Sequence, residues 1–362
     1  MSSGLLITAA VVLVFVVIFQ IAKASEYVSV LKGEKQAKEQ SNRINGFLMI
    51  AFLIVGLIGV WWCNELLYDK TLLPYDSASV QGEAIDTMLW ITIIITGIVF
   101  FATQILLFWF SYRYQDRPNR KSYYFPHNNK LEVIWTVVPA ITLTILVGFG
   151  LKYWFEITSD APKDALEVEI TGKQFGWIYR YAGDDGQFGK KYYRNIDPGA
   201  SNDLGLLWDD PATHDDIILT TSMYIVKDRP VKLRIGAQDV VHSVGLPHFR
   251  MKMDAVPGTP TTMWFTPKYT TAEMKKMTNN PDFVYEIACD QMCGAGHFSM
   301  RGTIEVVTQE EFDLWIAKQK SGYHIAFPDK DPSNAPQNGA SQDSTSSSVK
   351  ADEAKEKEIA KK

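Results

Sequence analysis

The sequence predicts a multi-domain membrane protein in which four transmembrane α-helices are followed by an all-β domain. Three observations carry that prediction. Apolar residues make up 46% of the 362, yet the mean hydropathy is only −0.07, so the apolar character has to be concentrated in segments. Residues 5–22, 46–63, 88–110 and 133–155 are such segments, each about the ~20 residues that a helix needs to cross a bilayer. From Leu166 onward the pattern switches to alternation, with short stretches of β-formers between Gly, Pro and Asp.

The first run has to be separated from a leader peptide. Ala22-Lys23-Ala24 before Ser25 has the form of a signal-peptidase site. Against cleavage, Met1-Ser2-Ser3-Gly4 carries no positive charge and the run exceeds the usual ~7–15 residues. The loops give a second test: residues 23–44 hold five Lys or Arg, 64–87 hold one and 113–131 hold five. The positive-inside bias places the first and third loops in the cytoplasm, so the N-terminus and the large C-terminal part lie outside. A cleaved leader would reverse every later segment, and residues 5–22 therefore read as a retained helix. Cys63, beside Trp61 and Trp62 at the outer end of the second run, reads as a buried or interfacial thiol with no metal role.

Strands are expected over Leu166-Glu167-Val168-Glu169-Ile170, 217–226, 231–235, Met263-Trp264-Phe265-Thr266, 283–288 and 301–307. Short strands with such turns suggest an antiparallel sandwich or barrel. Thr308-Gln309-Glu310-Glu311 is a capping box opening a short helix from 309 to about 320. Beyond it the chain becomes rich in Ser, Asn, Asp, Pro and Lys, too polar to bury a core, and reads as a disordered tail. The expected organisation is two N-terminal helices in 1–63, a helical hairpin in 64–157, the β domain in 158–320 and the polar tail in 321–362.

The chemistry is concentrated in Cys289-Asp290-Gln291-Met292-Cys293-Gly294-Ala295-Gly296-His297-Phe298-Ser299-Met300. Two of only three cysteines stand here, with an imidazole and a thioether. The spacing is too tight for a zinc finger, whereas thiolate, thioether and imidazole suit copper. His242, in Asp239-Val240-Val241-His242-Ser243 at the end of an alternating stretch, supplies a second imidazole. Two thiolates exceed the donor set of a mononuclear blue-copper site. They can instead bridge two coppers, each capped by one His, with Met300 and a backbone carbonyl as weak outer ligands. A disulfide in an exported domain is the competing reading; it leaves His242, His297 and Met300 without a role.

These motifs, with Lys252-Met253-Asp254-Ala255-Val256-Pro257-Gly258 between them, resemble subunit II of cytochrome c oxidase. The resemblance runs from about Met88 to about Lys318. It implies a dinuclear copper (CuA) centre in a cupredoxin-like Greek-key barrel, held on the periplasmic side of a bacterial inner membrane by a helical hairpin. Cys289 and Cys293 would bridge the metals, His242 and His297 would cap them, Met300 would be axial and Gln291 would bind through its main-chain carbonyl. The family usually has Glu at that last position, where the side chain also helps to hold a magnesium ion at the subunit I interface. The implied activity is electron transfer from a cytochrome c-type donor to haem in subunit I, which with subunit III reduces oxygen and pumps protons. No nucleic-acid partner is implied, in keeping with a net charge of −5.

Three further features take their reading from the same resemblance. Leu131-Glu132-Val133-Ile134-Trp135 matches the start of the family's last helix, where the equivalent of Glu132 marks the mouth of a proton channel; a carboxylate at the water boundary is the plainer alternative. In Gln174-Phe175-Gly176-Trp177-Ile178-Tyr179, Phe175 and Trp177 take the places of the aromatics that receive the electron, although alternating aromatics also make a strand core. Asp203, Asp209, Asp210, Asp215 and Asp216, in a stretch without Lys or Arg, read as a solvated acidic loop or a face that steers a basic donor. His127, His214, His248 and His324 are expected to be structural or solvated. No Cys-x2-Cys-His occurs, so no c-type haem domain is fused and the donor is a separate chain. A quinol-oxidase subunit II would lack the copper ligands, and a nitrous-oxide reductase would need a large catalytic domain for which these segments leave no room.

Overall fold

The computed structural model describes residues 3–331 except 73, 118 and 119. Its chain divides into two units: the described residues of Met1–Arg180 with Leu219–Ala317, and those of Tyr181–Ile218 with Lys318–Lys362.

The four apolar runs are the centres of four longer helices, α1 (Ser3–Lys32), α2 (Glu34–Leu67), α3 (Val80–Arg113) and α4 (Asn129–Thr158). All four are long and apolar enough to cross a membrane. They leave large apolar side chains such as Phe52, Ile98 and Leu143 exposed, which suits lipid rather than water as the surrounding medium. The stretch 23–44 expected as a loop is helical except at Gly33, whose φ of 82° breaks the chain between α1 and α2. Its Lys, Glu, Gln and Ala residues favour a helix, and charge alone does not end one.

In the first unit lie β1 (Leu166–Lys173), β2 (Gly176–Tyr181), β4 (Ser222–Val226), β5 (Val231–Ala237), β6 (His242–Leu246), β7 (Met251–Ala255), β8 (Thr261–Phe265), β9 (Tyr285–Cys289) and β10 (Arg301–Val307), while β3 (Ile217–Leu219) closes the first segment of the second unit. Strands β2-β1-β5-β8 run side by side in one sheet and β4-β10-β9-β6-β7 form the other. The expected antiparallel arrangement needs correcting at two places. β1 pairs with β5 in parallel, Leu166 beside Val231, and β10 pairs with β4 in parallel, Thr303 beside Ser222. Both are pairs of strands remote in sequence, and parallel neighbours require such long crossovers, whereas the β6/β7 and β9/β10 neighbours are antiparallel. Alternation along the strands puts Val168, Ile170, Leu233 and Phe265 of one sheet and Ile225, Val244, Ile287 and Ile304 of the other in a fully buried core. Phe249 joins the sheets, its ring 4.9 Å from Phe265 and stacked at 4.7 Å on Tyr285.

Polar bonds tie this domain to the helices. Ser79 accepts from the Gly82 N–H to cap α3 and donates to the Phe249 carbonyl at 2.7 Å. Arg250 donates to Asp86 at 2.7 Å and to the carbonyls of Leu72 and Tyr75. At the end of α4 the Trp264 indole donates to the Glu156 carbonyl at 3.0 Å. The Thr308 capping box opens α6 (Gln309–Ile316) as expected, and Thr270 makes another at α5 (Thr271–Met277).

In the second unit His214 stacks on Tyr323 at 3.9 Å, with Trp208 beside it. The sequence places residues 321–331 in the polar tail, but they form α7 (Gly322–Ala326) and a 3-10 turn ending in a buried Asp331. Their aromatic residues Tyr323 and Phe327 pack on Trp208, which composition counted over a longer window hides. Residues 332–362 of the expected tail lie outside the described residues. The acidic stretch is partly internal to this unit. Asp216 is fully buried and accepts from the Gly189 N–H, while Asp215 accepts from Asp185 and Asp210 from Lys190.

Candidate metal centre

Two elements converge on the site. β9 ends on Cys289, the chain loops through 290–300, and β10 begins at Arg301 with Arg301 paired to Ala288. The loop is closed at its base by the Cys289 N–H donating to the Met300 carbonyl at 3.2 Å. β6 lies on the other side of β9, Val244 opposite Cys289, and this register sets His242 beside the loop. Two candidate donors 47 positions apart, His242 and Cys289, thus meet because their strands are neighbours.

All three cysteines are free thiols. The Sγ atoms of Cys289 and Cys293 stand 3.8 Å apart, and with a His242 ring nitrogen they lie within 4.8 Å of one another. Around each sulfur there is a separate set of donors. Cys289 Sγ is 3.8 Å from His242 Nδ1 and 3.2 Å from the Gln291 carbonyl oxygen. Cys293 Sγ is 3.7 Å from His297 Nδ1 and 3.8 Å from Met300 Sδ. Both cysteines, His242 and Met300 are buried, and His297 is half-buried. Burial, followed by the hydrogen bond and charge of Cys289, pushes the Cys293 thiol up to about 11. A metal that takes this sulfur as thiolate has to displace its proton.

The residues that orient these donors were only partly legible in the sequence. His242 Nε2 lies 2.8 Å from Asp239 Oδ1, which leaves Nδ1 to face the sulfur. Asp239 also accepts from the backbone N–H groups of Gln174 and Val240, each at 2.7 Å. Burial alone would raise the Asp239 carboxyl, but the bonds from His242, Gln174 and Val240 hold it below its ordinary value. The Gln174 side chain then donates to the Cys293 carbonyl at 2.6 Å. Gln174 therefore links the His242 side of the site to the loop. Asp239 carried a signal, a carboxylate three residues before a candidate donor His; Gln174, from another strand pair, carried none.

The two expected electron-uptake aromatics are placed differently. Phe175 is 42% exposed, and its ring covers the loop so closely that a β-carbon at Gly296 would fall 2.4 Å from it. Trp177 is 4% exposed and packs edge-on against His242, ring centres 6.1 Å apart. Of the pair only Phe175 reaches the surface, where Met292 and Phe298 of the loop are also exposed. Glu132 is exposed in the first turn of α4, and its carboxylate accepts from the Asn128 N–H at 3.3 Å. His248 is not drawn into the site; its ring packs against Phe283 and Tyr285.

Comparison with known proteins adds the following. Residues 72–152 match the family described as cytochrome c oxidase subunit II, transmembrane domain, and 166–307 match cytochrome c oxidase subunit II, periplasmic domain. The chain is 33% identical over 275 residues to the alternative cytochrome c oxidase subunit 2 of Bradyrhizobium diazoefficiens, covering 76% of this chain and 90% of that one. It is 28% identical over 240 residues to cytochrome c oxidase subunit 2 of Cereibacter sphaeroides, covering 64% and 75%. A crystal structure of the periplasmic domain of subunit II of cytochrome oxidase from Bradyrhizobium japonicum aligns with 26% identity and a TM-score of 0.30, over 44% of this chain and 95% of that chain. Helices α1 and α2 precede both family matches.

Proposed function

This chain belongs to the cytochrome c oxidase subunit II family, and from that premise we propose that it is the electron-accepting subunit of a proton-pumping respiratory oxidase in a bacterial inner membrane. It is a membrane protein with a C-terminal periplasmic domain, and its relatives are subunits of an oxidoreductase complex. In the proposed role it receives electrons from a separate cytochrome c-type chain and delivers them to haem in subunit I, with subunit III completing the core.

The observation that carries this reading is the division of the donors into two sets, one about each sulfur. Two thiols, two imidazole nitrogens, a thioether and a carbonyl are too many for one mononuclear copper site and fit a pair of coppers. Cys289 and Cys293 would bridge, His242 and His297 would each hold one metal, and Met300 and the Gln291 carbonyl would be the weak ligands. Bound there, a dinuclear copper centre supplies reversible one-electron storage. The chain's own part is to bury both sulfurs away from water, to fix the His242 ring through Asp239, and to present Phe175 at the surface where a donor would dock.

Glu132 is proposed as the cytoplasmic mouth of a proton path into subunit I, since it stands exposed at the start of α4. A magnesium ion at the subunit I interface would find at Gln291 a neutral amide instead of a carboxylate, so any magnesium there draws its charge from other groups.

The test is metal analysis with electron paramagnetic resonance on the purified complex carrying the full-length chain. Two coppers per subunit II sharing one unpaired electron, with that signal lost in Cys289→Ser, is the expected result. One copper with a blue-type spectrum, or no copper and an oxidised Cys289–Cys293 pair, would overturn the proposal.

A further inference from the structure

A cavity of about 470 Å³ opens where the first turns of α2 pack against the last turn of α3. Its place in the membrane follows from the topology. α4 leads into the periplasmic domain, so its first turn and the end of α3 lie on the cytoplasmic side. The N-terminal end of α2 is held to that same end of α3. Phe47 packs on Tyr112 with ring centres 5.2 Å apart, the Asn42 amide donates to the Asp116 carbonyl at 3.3 Å, and Lys38 pairs with the Asp116 carboxylate at 3.0 Å. Gly46 permits the approach, since a β-carbon there would fall 2.8 Å from the Gln115 amide. Phe47 begins the apolar part of α2, which puts the cavity at headgroup depth, where aromatic and basic residues gather.

The lining is bipolar. Arg43 and Arg117 contribute two guanidinium groups, Glu39 a carboxylate one helical turn from Arg43, and Phe47 and Tyr112 an aromatic wall. Asp116 is already neutralised by Lys38. Arg43, Arg117 and Glu39 make no ion pair with one another or with other described residues. Guanidinium groups match a phosphodiester in charge and in hydrogen-bonding geometry. Were the cavity purely basic, an anionic lipid would be its natural occupant; the Glu39 carboxylate instead calls for a cation next to the phosphate.

We propose that this cavity binds the headgroup of phosphatidylethanolamine, Arg43 and Arg117 taking the phosphate and Glu39 the ammonium. The lipid would then fasten α2, which lies outside the family matches, to α3, which lies within them. The intact complex, purified in detergent, stripped of loose lipid and placed in bilayer discs of mixed phosphatidylethanolamine and phosphatidylglycerol, tests this by native mass spectrometry. The wild type should retain phosphatidylethanolamine over phosphatidylglycerol. Glu39→Gln should reduce that preference by about fivefold, the effect of one interfacial charge. The double variant Arg43→Gln/Arg117→Gln should retain neither lipid, and excess inorganic phosphate should leave the wild-type lipid bound. An unchanged copper signal in each variant shows that the complex has assembled. Equal retention of the two lipids by the wild type, undiminished phosphatidylethanolamine in the double variant, or displacement by phosphate alone would overturn the proposal.

Discussion

The two sides of the candidate metal centre are built by different means. The Cys289 side rests on a sheet: His242 is completely buried at the start of β6, its register fixed by β7 and β9, and its far nitrogen is held by Asp239. The Cys293 side rests on a loop. His297 stands half-buried in a 3-10 turn closed by backbone bonds from His297 to Gly294 and from Met300 to His297, with Phe175 packed over it from outside. A sheet positions a ligand through pairings that exist whether or not the metal is bound. A loop ligand has fewer such constraints, so the metal itself contributes more of the order there. Gln174, reaching from the Asp239 network to the Cys293 carbonyl, is a side-chain link between the two, beside the backbone bond from Cys289 to Met300.

The largest effect expected from this contrast is between His242→Ala and His297→Ala. Both remove an imidazole and should abolish the native copper signal. Only the first empties a fully buried position and takes from Asp239 its imidazole partner, so it should also lower the stability of the metal-free domain by about 2–5 kcal/mol. His297→Ala, at a half-buried loop position, should change it by about 0.5 kcal/mol or less. Chemical denaturation of the metal-free protein makes the comparison. Equal losses would mean that the loop is as rigidly built as the sheet.

Next in size is Asp239→Asn. Gln174 donates to one carboxylate oxygen and Val240 to the other, which also faces His242; the amide keeps a single acceptor oxygen, so it loses one of these bonds together with the charge that orients and polarises His242. Copper affinity should fall about 10–100-fold, the usual range for a partner of a ligand His, while the copper-to-protein ratio at saturation stays the same. A matching loss in Gln174→Leu, which cuts the link to Cys293 without touching His242, would show that the two sides act as one unit. An effect confined to Asp239→Asn would confirm their independence.

This contrast also governs what could be read from the sequence. The four membrane helices were legible because a run of apolar residues at this length has few other solutions, and their ends were not, because residues 23–44 are polar and helix-favouring at once. The candidate donors Cys289, Cys293, His297 and Met300 were legible because they sit within one short segment. His242 was found only by asking what chemistry that segment lacked. The parallel pairing of β1 with β5 and of β4 with β10, and the Gln174 link across them, were not legible at all: they depend on which distant strands become neighbours, and no local pattern records that. Trp177 shows the same gap in another form. Its alternation with Phe175 and Tyr179 is plain, but whether it faces water or His242 is decided by the opposite sheet, and it faces His242.

The smallest effect belongs to Phe175, where the loop side meets solvent. The ring is 42% exposed and lies over Gly294 and Gly296, so Phe175→Ala removes packing from outside the loop without opening a core cavity. The expected cost in stability is about 1 kcal/mol or less, with copper content unchanged. If Phe175 serves electron uptake, oxidation of the donor should slow in this variant while the copper spectrum keeps its shape, and Phe175→Trp should restore the rate by returning an aromatic face. A spectrum that shifts in Phe175→Ala and recovers in Phe175→Trp would give the ring a different part: a clamp that holds His297 and Met300 in place, supplying the loop side with the rigidity that the sheet gives to His242.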